Sequence, residues 1–355
     1  MSLESLGADT SVQEQFEPHA ARGLVLARVA AATRERFRLI TAQGEFPSEI
    51  SGALRHKSAG GANMAVTGDW AAARIVNTDQ AIIEAVLPRK TLFSRRAAGR
   101  REDEQPIAAN IDLVFLVCGL DGDYNLRRLE RYLTLAAESG AEPVVVLNKS
   151  DLCPDIASRL AETAAVGRGA PVIATTTTTP GGLDGLRTFL AFGRTVALLG
   201  SSGVGESAIV NFILGQDRQR TNPVRASDSR GRHTTTQREL IPLPAGGALI
   251  DTPGMRELQL WASQQSVDRS FDEIAEIASA CRFRNCSHSG ESGCAVAQSI
   301  EDGELSEERW ISYRKLLAEA KRHEEMTDRL AAAESKRRLK AMHKGMREFY
   351  RRKDW

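Results

Sequence analysis

The sequence predicts a three-part chain: a small N-terminal β-barrel, a central α/β domain built around a phosphate-binding turn, and a C-terminal helical module stapled by a metal. Three observations predict it. Short strand-like segments crowd Arg22–Val86 among turn residues. Near-continuous apolar runs alternate with helical spacings from Ile111 to Ile250. Three of the five cysteines gather between Cys281 and Cys294, beside His288.

The 355 residues suffice for several domains, each with its own core. The expected division is a disordered tail at 1–20, a barrel at 21–101, the α/β domain at 102–262 and the metal-stapled, basic helical domain at 263–355. Met1–His19 is polar and somewhat acidic, which is why a tail is expected there. No apolar run reaches the roughly 18 to 20 residues that span a bilayer, so a cytoplasmic protein with no membrane partner is expected. Five cysteines so unevenly spread do not make a disulfide framework.

Formal net charge is only +1, yet the charge is segregated. Arg22–Arg101 holds fourteen Lys and Arg against six Asp and Glu, and Lys336–Lys353 holds nine against one. Basic blocks of this kind commonly meet phosphate backbones, although a solvated face has the same composition.

In chain order, Arg22–Ala32, Phe37–Thr41, Ser51–Ser58, Ala65–Trp70, Ala72–Asn77 and Ala81–Val86 read as short strands. Their number and spacing suit a five-stranded oligonucleotide-binding (OB) barrel. Pro88–Arg101, PRKTLFSRRAAGRR, reads as its basic exit linker.

Beyond Ile111 come apolar runs at Asp112–Cys118, Pro143–Leu147, Pro171–Ala174, Thr195–Leu199, Gln237–Ile241 and Ala248–Ile250, with Leu126–Ser139 helical. Cys118 belongs to such a run and reads as core. Buried parallel strands look like this because helices cover both faces, and sites then gather at the strands' carboxyl ends. Three motifs stand there. Asn148-Lys149-Ser150-Asp151 is an N-K-x-D pattern, in which the aspartate accepts both N–H groups of a guanine base while the lysine stem covers the ring. Gly200-Ser201-Ser202-Gly203-Val204-Gly205-Glu206-Ser207, followed by Ala208, is a glycine-rich turn between strand and helix, whose amides suit phosphate and whose Ser207 hydroxyl suits magnesium. Asp251-Thr252-Pro253-Gly254 is a D-x-x-G pattern: the aspartate reaches magnesium through water and the glycine N–H reaches a terminal phosphate. Between the last two lies Ser229–Thr236, SRGRHTTT, suited to a mobile first switch. Met255 follows Gly254 where a water-orienting glutamine is common, and His233 is the nearest substitute.

The order is unusual, since N-K-x-D precedes the phosphate loop. A circular permutation preserves such a site when the strands still neighbour one another.

Cys281-x4-Cys286-x-His288-x5-Cys294 is a closed three-thiolate, one-imidazole set, which points to one structural zinc. Gly290 and Gly293 let its loop fold back. From Leu305 the pattern is helical, with Trp310, Tyr313, Leu316 and Leu317 on one face, and the chain ends in a basic helix carrying Phe349, Tyr350 and Trp355.

The succession of N-K-S-D, GSSGVGxS, GRHTTT, DTPG and the Cys/His set, after a basic barrel, resembles the ribosome-small-subunit-dependent GTPase A family from about Arg22 to the C-terminus. The resemblance implies a role in late maturation of the small ribosomal subunit, rRNA binding, and GTP hydrolysis stimulated by that subunit. It also implies a permuted GTPase domain, magnesium with GTP or GDP, and a zinc module; we take the protein as a monomer. Residue by residue, Asn148, Lys149 and Asp151 would take the base, Gly200–Ser207 the phosphates, and Thr234, Thr235 and Thr236 the first switch, with Thr235 or a neighbour on magnesium. Asp251–Gly254 would form the second switch, and His233 matches the water-orienting histidine. One residue departs: the family has lysine where this chain has Glu206, which weakens triphosphate binding unless Arg230, Arg232, magnesium or the ribosome supplies a cation. The alternative is a non-hydrolysing RNA-binding assembly scaffold with a degenerate nucleotide site.

Overall fold

The computed structural model covers the full chain and describes residues 2–33, 35–57, 64–96, 104–201, 203–215, 238–251, 264–288 and 291–322. Ser202, the 229–236 switch with His233, Thr234 and Thr235, Gly254, Gly290 and the basic 336–353 stretch lie outside the described residues. Compact units divide between Trp261 and Ala262.

The first unit begins with a correction. In place of the disordered tail expected at 1–20, a short turn of 3-10 helix at Glu4–Leu6 leads into α1 (Thr10–Ala20), capped by the Asp9 carboxylate accepting from Val12 N. Leu3, Leu6, Ala8 and Val12 are buried. Composition hid this because so few apolar groups are involved. Gly7, at φ +95°, passes Gly193 so closely that a Cβ would lie 2.5 Å from the Gly193 carbonyl oxygen, and Gly247 N donates to Ser5 O at 2.6 Å.

The barrel comprises β1 (Val25–Ala32), β2 (Phe37–Thr41), β3 (Gly44–Ile50), β4 (Trp70–Asn77) and β5 (Gln80–Val86). Neighbours run β1-β2-β3-β5-β4, and β4 pairs back onto β1, closing the sheet. Only β3–β5 is parallel. Closure removes the exposed edges that a small sheet would otherwise offer, and Val29, Leu39, Phe46, Ala71 and Ile83 fill the interior.

Three expected elements differ. Ser51–Ser58 is not a strand: Ser51 Oγ accepts from Leu54 N at 3.2 Å and starts α2 (Gly52–Lys57), which puts Leu54 into the barrel core. The capping serine outweighed the strand expected there. Ala65–Asp69 is an extended loop, with β4 starting only at Trp70, because the buried Asp69 turns to Arg89 (2.7 Å) and to Val66 N (2.7 Å). The supposed linker contains β6 (Leu92–Arg96), which pairs with β7 (Glu104–Ala109) as a hairpin, burying Phe93 and Ile107.

Strands β8 (Leu113–Gly119), β9 (Glu142–Asn148), β10 (Val172–Ala174), β11 (Thr195–Gly200), β12 (Glu239–Pro242) and β13 (Ala248–Asp251) form the second sheet region, ordered β10-β9-β8-β11-β13-β12. All but β12 are parallel to their neighbours. Helices α3 (Leu126–Ser139), α4 (Ile156–Gly167) and α5 (Glu206–Leu214) complete the α/β pattern. The chain runs outward from β8 through β9 to β10, then returns to lay β11 on the other side of β8. That reversal is the crevice in which open α/β sheets bind ligands.

The barrel and the α/β region, expected as separate domains meeting at 101/102, share one compact unit. Ala31 of β1 bridges Glu239 of β12, which continues the sheet from one into the other. Arg28 pins the junction from inside. Only 2% exposed, it donates from Nη2 to Asn110 O (3.1 Å) and Thr195 Oγ1 (3.0 Å), and its guanidinium lies 4.5 Å from the Trp70 ring centroid. Burial lowers the Arg28 pKa to about 10, against the opposing fields of Asp112 and Asp69. Arg28→Ala is therefore expected to destabilise the protein by about 3 kcal/mol, through lost packing and buried polar groups left unmatched. Urea unfolding checks this, and a loss below about 1 kcal/mol, the level of an ordinary surface change, would make the pin irrelevant.

The second unit packs α6 (Gln264–Ser270), α7 (Asp272–Ser279), the cysteine loop, α8 (Ala295–Glu301) and a helix at 307–322. Its core joins Phe271, Ile274, Val296, Leu305, Trp310 and Leu316, with Tyr313 and Leu317 packed against it. Among the described residues no helix is long and apolar enough to cross a membrane.

Candidate nucleotide and metal sites

Continuous apolar strands deliver their next residues to one edge of the sheet. β9 ends in Asn148, β11 in Gly200 and β13 in Asp251, so the base-type loop, the glycine turn and the start of D-x-x-G all emerge together. Asn148 joins the first two. It is 1% exposed; its Nδ2 donates to Val204 O of the glycine turn at 2.7 Å, and its Oδ1 accepts from Thr175 Oγ1 at 3.1 Å. Both ends of the amide are matched, so the loops are set against each other by one buried side chain.

Lys149 adopts φ +60°, an uncommon value for a residue with a side chain, which swings Ser150 and Asp151 out from the strand end. Ser150 N then donates to Thr175 O at 3.0 Å. Asp151 is exposed and accepts from Thr176 Oγ1 at 2.5 Å through one oxygen. Each carboxylate oxygen has two lone-pair sites, so capacity remains for a ligand's N–H pair. Lys149 Nζ reaches Asp121 Oδ2 at 2.5 Å. Burial opposes the charge on Asp121, but the Lys149 ammonium and the Asp123 N–H prevail and hold that carboxyl below its ordinary value.

In the glycine turn, Gly203 and Gly205 have φ of +86° and +97°. Gly205 admits no other residue, since a Cβ would stand 2.3 Å from Asn148 Nδ2. Val204 is fully buried and anchors the turn, and Ser201 Oγ donates to Asp123 Oδ2 at 2.5 Å. Glu206 opens α5, with Ser207 and Ala208 half-buried behind it. Glu206 is 8% exposed and its Oε1 lies 2.9 Å from where a Cβ on Gly200 would be, so its carboxylate is folded in beneath the turn. Burial above all, with the carboxylates of Glu206 and Asp123 assisting, pushes Tyr132 up to about 12. A helix N-terminus favours an anion, and Glu206 already places one there.

Thr175 and Thr176 were not anticipated as site residues. They follow β10, and the run Thr175–Thr179 after an apolar strand was the available signal. A cleft of about 510 Å³ opens between this run and α5, lined by Thr176, Thr177, Arg187, Ala208 and Phe212. Asp121 and Asp123 were also missed, because nothing in their spacing marks them. Cys118 is buried in β8, and burial pushes its thiol up to about 11, as suits plain core.

In the second unit, the ligand atoms of Cys281, Cys286, His288 and Cys294 lie within 4.8 Å of one another. His288 takes φ +56° to turn its ring inward, and Nδ1 stands 3.5 Å from Cys281 Sγ and 3.4 Å from Cys294 Sγ. A tetrahedron with metal–sulfur bonds of about 2.3 Å and metal–nitrogen bonds of about 2.05 Å has S···N edges of roughly 3.5 Å. The donor set therefore fits a four-coordinate metal. Ala297 N donates to Cys294 Sγ at 3.4 Å, and His288 packs edge-on to Trp310 with centroids 5.5 Å apart.

A closed five-stranded barrel continuing into a phosphate-loop sheet whose base-recognition strand precedes its phosphate strand defines a circularly permuted GTPase. The family model described as RsgA GTPase matches residues 86–261. The small ribosomal subunit biogenesis GTPase RsgA of Opitutus terrae is 44% identical over 357 residues, covering 98% of this chain and 97% of the relative. The chain belongs to the RsgA family. The crystal structure of YjeQ from Thermotoga maritima superposes with a TM-score of 0.63 at 25% identity, over 84% of this chain and 98% of that one. The structure of YloQ, described as a circularly permuted GTPase, gives 0.59 at 23% over 84% and 96%, a likeness of fold.

Proposed function

We propose that this protein is a cytoplasmic GTP-binding and GTP-hydrolysing factor for late maturation of the small ribosomal subunit, gripping rRNA with its basic barrel and acting as a monomer. The observation that carries the reading is Asn148, which locks the base loop to the phosphate loop with Asp151 at the lip. A scaffold with a decayed nucleotide site has no need of that arrangement, and the name of the Opitutus terrae relative supports the ribosomal role.

In this reading Asp151 accepts the paired guanine N–H groups, the Lys149 stem covers the ring, and Ser150 N–H stays with Thr175 to hold the loop. Gly200 to Ala208 cradle the phosphates, and Asp251 and Gly254 serve the terminal one. Ser207 and Asp251, hard oxygen donors at the ends of α5 and β13, fit magnesium, with Thr235 from the switch as a further ligand. Bound with GTP, magnesium neutralises charge on the β and γ phosphates. Thr234 supplies a main-chain N–H to the terminal phosphate and His233 orients the attacking water. Cys281, Cys286, His288 and Cys294 hold one structural zinc.

Calorimetric titration with GDP and ADP tests the base assignment. GDP binds and ADP does not; Asp151→Ala weakens GDP by about 100-fold, the cost of two charge-assisted hydrogen bonds. Equal affinity for both nucleotides, or none for either, would remove the guanine assignment.

A further inference from the structure

This inference rests on the nucleotide reading above and concerns a segment that reading leaves unused. The turn between β8 and α3, Leu120–Asn125, is fastened along the mouth of the site at three points. Leu120 N donates to Asn148 O at 2.8 Å, Asp121 Oδ2 receives Lys149 Nζ at 2.5 Å, and Asp123 Oδ2 receives Ser201 Oγ at 2.5 Å. The turn is braced internally as well. Asp123 N donates to Asp121 Oδ1 at 3.0 Å, Arg128 Nη2 pairs with Asp123 Oδ2 at 2.7 Å, and Asn125 caps α3 by accepting from Arg128 N at 3.0 Å. A Cβ on Gly119 would lie 2.7 Å from Asp121 Oδ1, so the glycine ending β8 lets that carboxylate fold back over the strand end.

Lys149 belongs to the base-recognition loop and Ser201 to the phosphate loop. We propose that the Leu120–Asn125 turn is a strap that presets both halves of the nucleotide site, with Asp121 positioning Lys149 and Asp123 positioning Ser201. Neither aspartate touches the nucleotide. A lysine stem is flexible, and one that must lie flat on a ring loses rotamer freedom on binding; tethering its ammonium beforehand removes much of that loss. The Asp123 carboxylate, held from behind by Arg128, does the same for the phosphate loop by fixing its second residue.

The test uses the full-length chain and the displacement of a fluorescent GDP analogue by guanosine, which reports the base half alone, and by GDP, which reports both. Asp121→Asn is expected to weaken guanosine and GDP by the same factor, about fivefold for a half-exposed ionic contact. Asp123→Asn is expected to leave guanosine unchanged and to weaken GDP by about fivefold. Ser201→Ala should reproduce the Asp123→Asn result, and the double variant should add nothing, since both remove one contact. Where Asp123→Asn lowers the melting temperature, Ser201→Ala carries the phosphate-side expectation alone. Variants that weaken guanosine and GDP without this split, or that leave both ligands untouched while the unaltered chain binds, overturn the strap. An unaltered chain that binds neither ligand overturns the nucleotide reading and the strap with it.

Discussion

Replacing Glu206 by lysine is expected to tighten GTP binding by about 100-fold and to raise GTP turnover. Two unit charges 4 Å apart interact by about 4 kcal/mol at an effective dielectric near 20, and the substitution reverses the sign of that term. Magnesium and other cations compensate part of it, so about 2.7 kcal/mol, or 100-fold, is the surviving share. The structure adds a second cost to the native residue. Glu206 opens α5 and is folded beneath the turn, where its carboxylate takes the favourable field at the helix N-terminus that a phosphate would otherwise use. Fluorescence titration with GTP and single-turnover hydrolysis, with and without small subunits, measure both effects. Should the native chain and Glu206→Lys bind and hydrolyse equally, the acidic residue is silent. A native chain that approaches the lysine variant only when subunits are added would show that the ribosome supplies the missing cation.

Disrupting the candidate metal set of the second unit is the other change with a large expected effect. Cys294 is 5% exposed, caps α8 through Ala297 N, and packs with Val296, Trp310 and Leu316 in the small core. A small unit of this kind commonly relies on a metal where it has one, and structural zinc contributes on the order of 10 kcal/mol to small sites. Cys294→Ala, or chelation of the native chain, is expected to abolish cooperative melting of the second unit while the first still binds GDP. Mass spectrometry of the native chain should find one zinc. A metal-free chain whose two units melt as before would leave the cysteines without a structural task.

How much of this was legible in the residues depended on how local each signal is. β8, β11 and the later part of β9 are buried on both faces, so Asp112–Cys118, Pro143–Leu147 and Thr195–Leu199 read as apolar runs and place their motifs at the carboxyl ends directly. The four candidate metal ligands lie within fourteen positions and needed no fold to be grouped. The amino-terminal segment was misjudged because the contacts that hold it, Gly7 against Gly193 and Ser5 O accepting from Gly247 N, come from far along the chain. Strand β6 was taken for part of a linker because basic residues crowd Pro88–Arg101 around the buried Phe93. Thr176, Asp121 and Asp123 carry no motif, and matter only because strand order brings their loops to one edge.

The sequence by itself determined that a barrel precedes an α/β sheet with its candidate loops at the strand ends, and that three cysteines and a histidine form a candidate metal set, since each depends on residue types at short spacing. Tertiary structure alone decided that Arg28 and β12 weld barrel and nucleotide domain into one unit, that Asn148 clasps Val204, and that Glu206 is folded inward. Those contacts join residues far apart along the chain, and a hydrogen bond leaves no periodic trace in the residues between its partners.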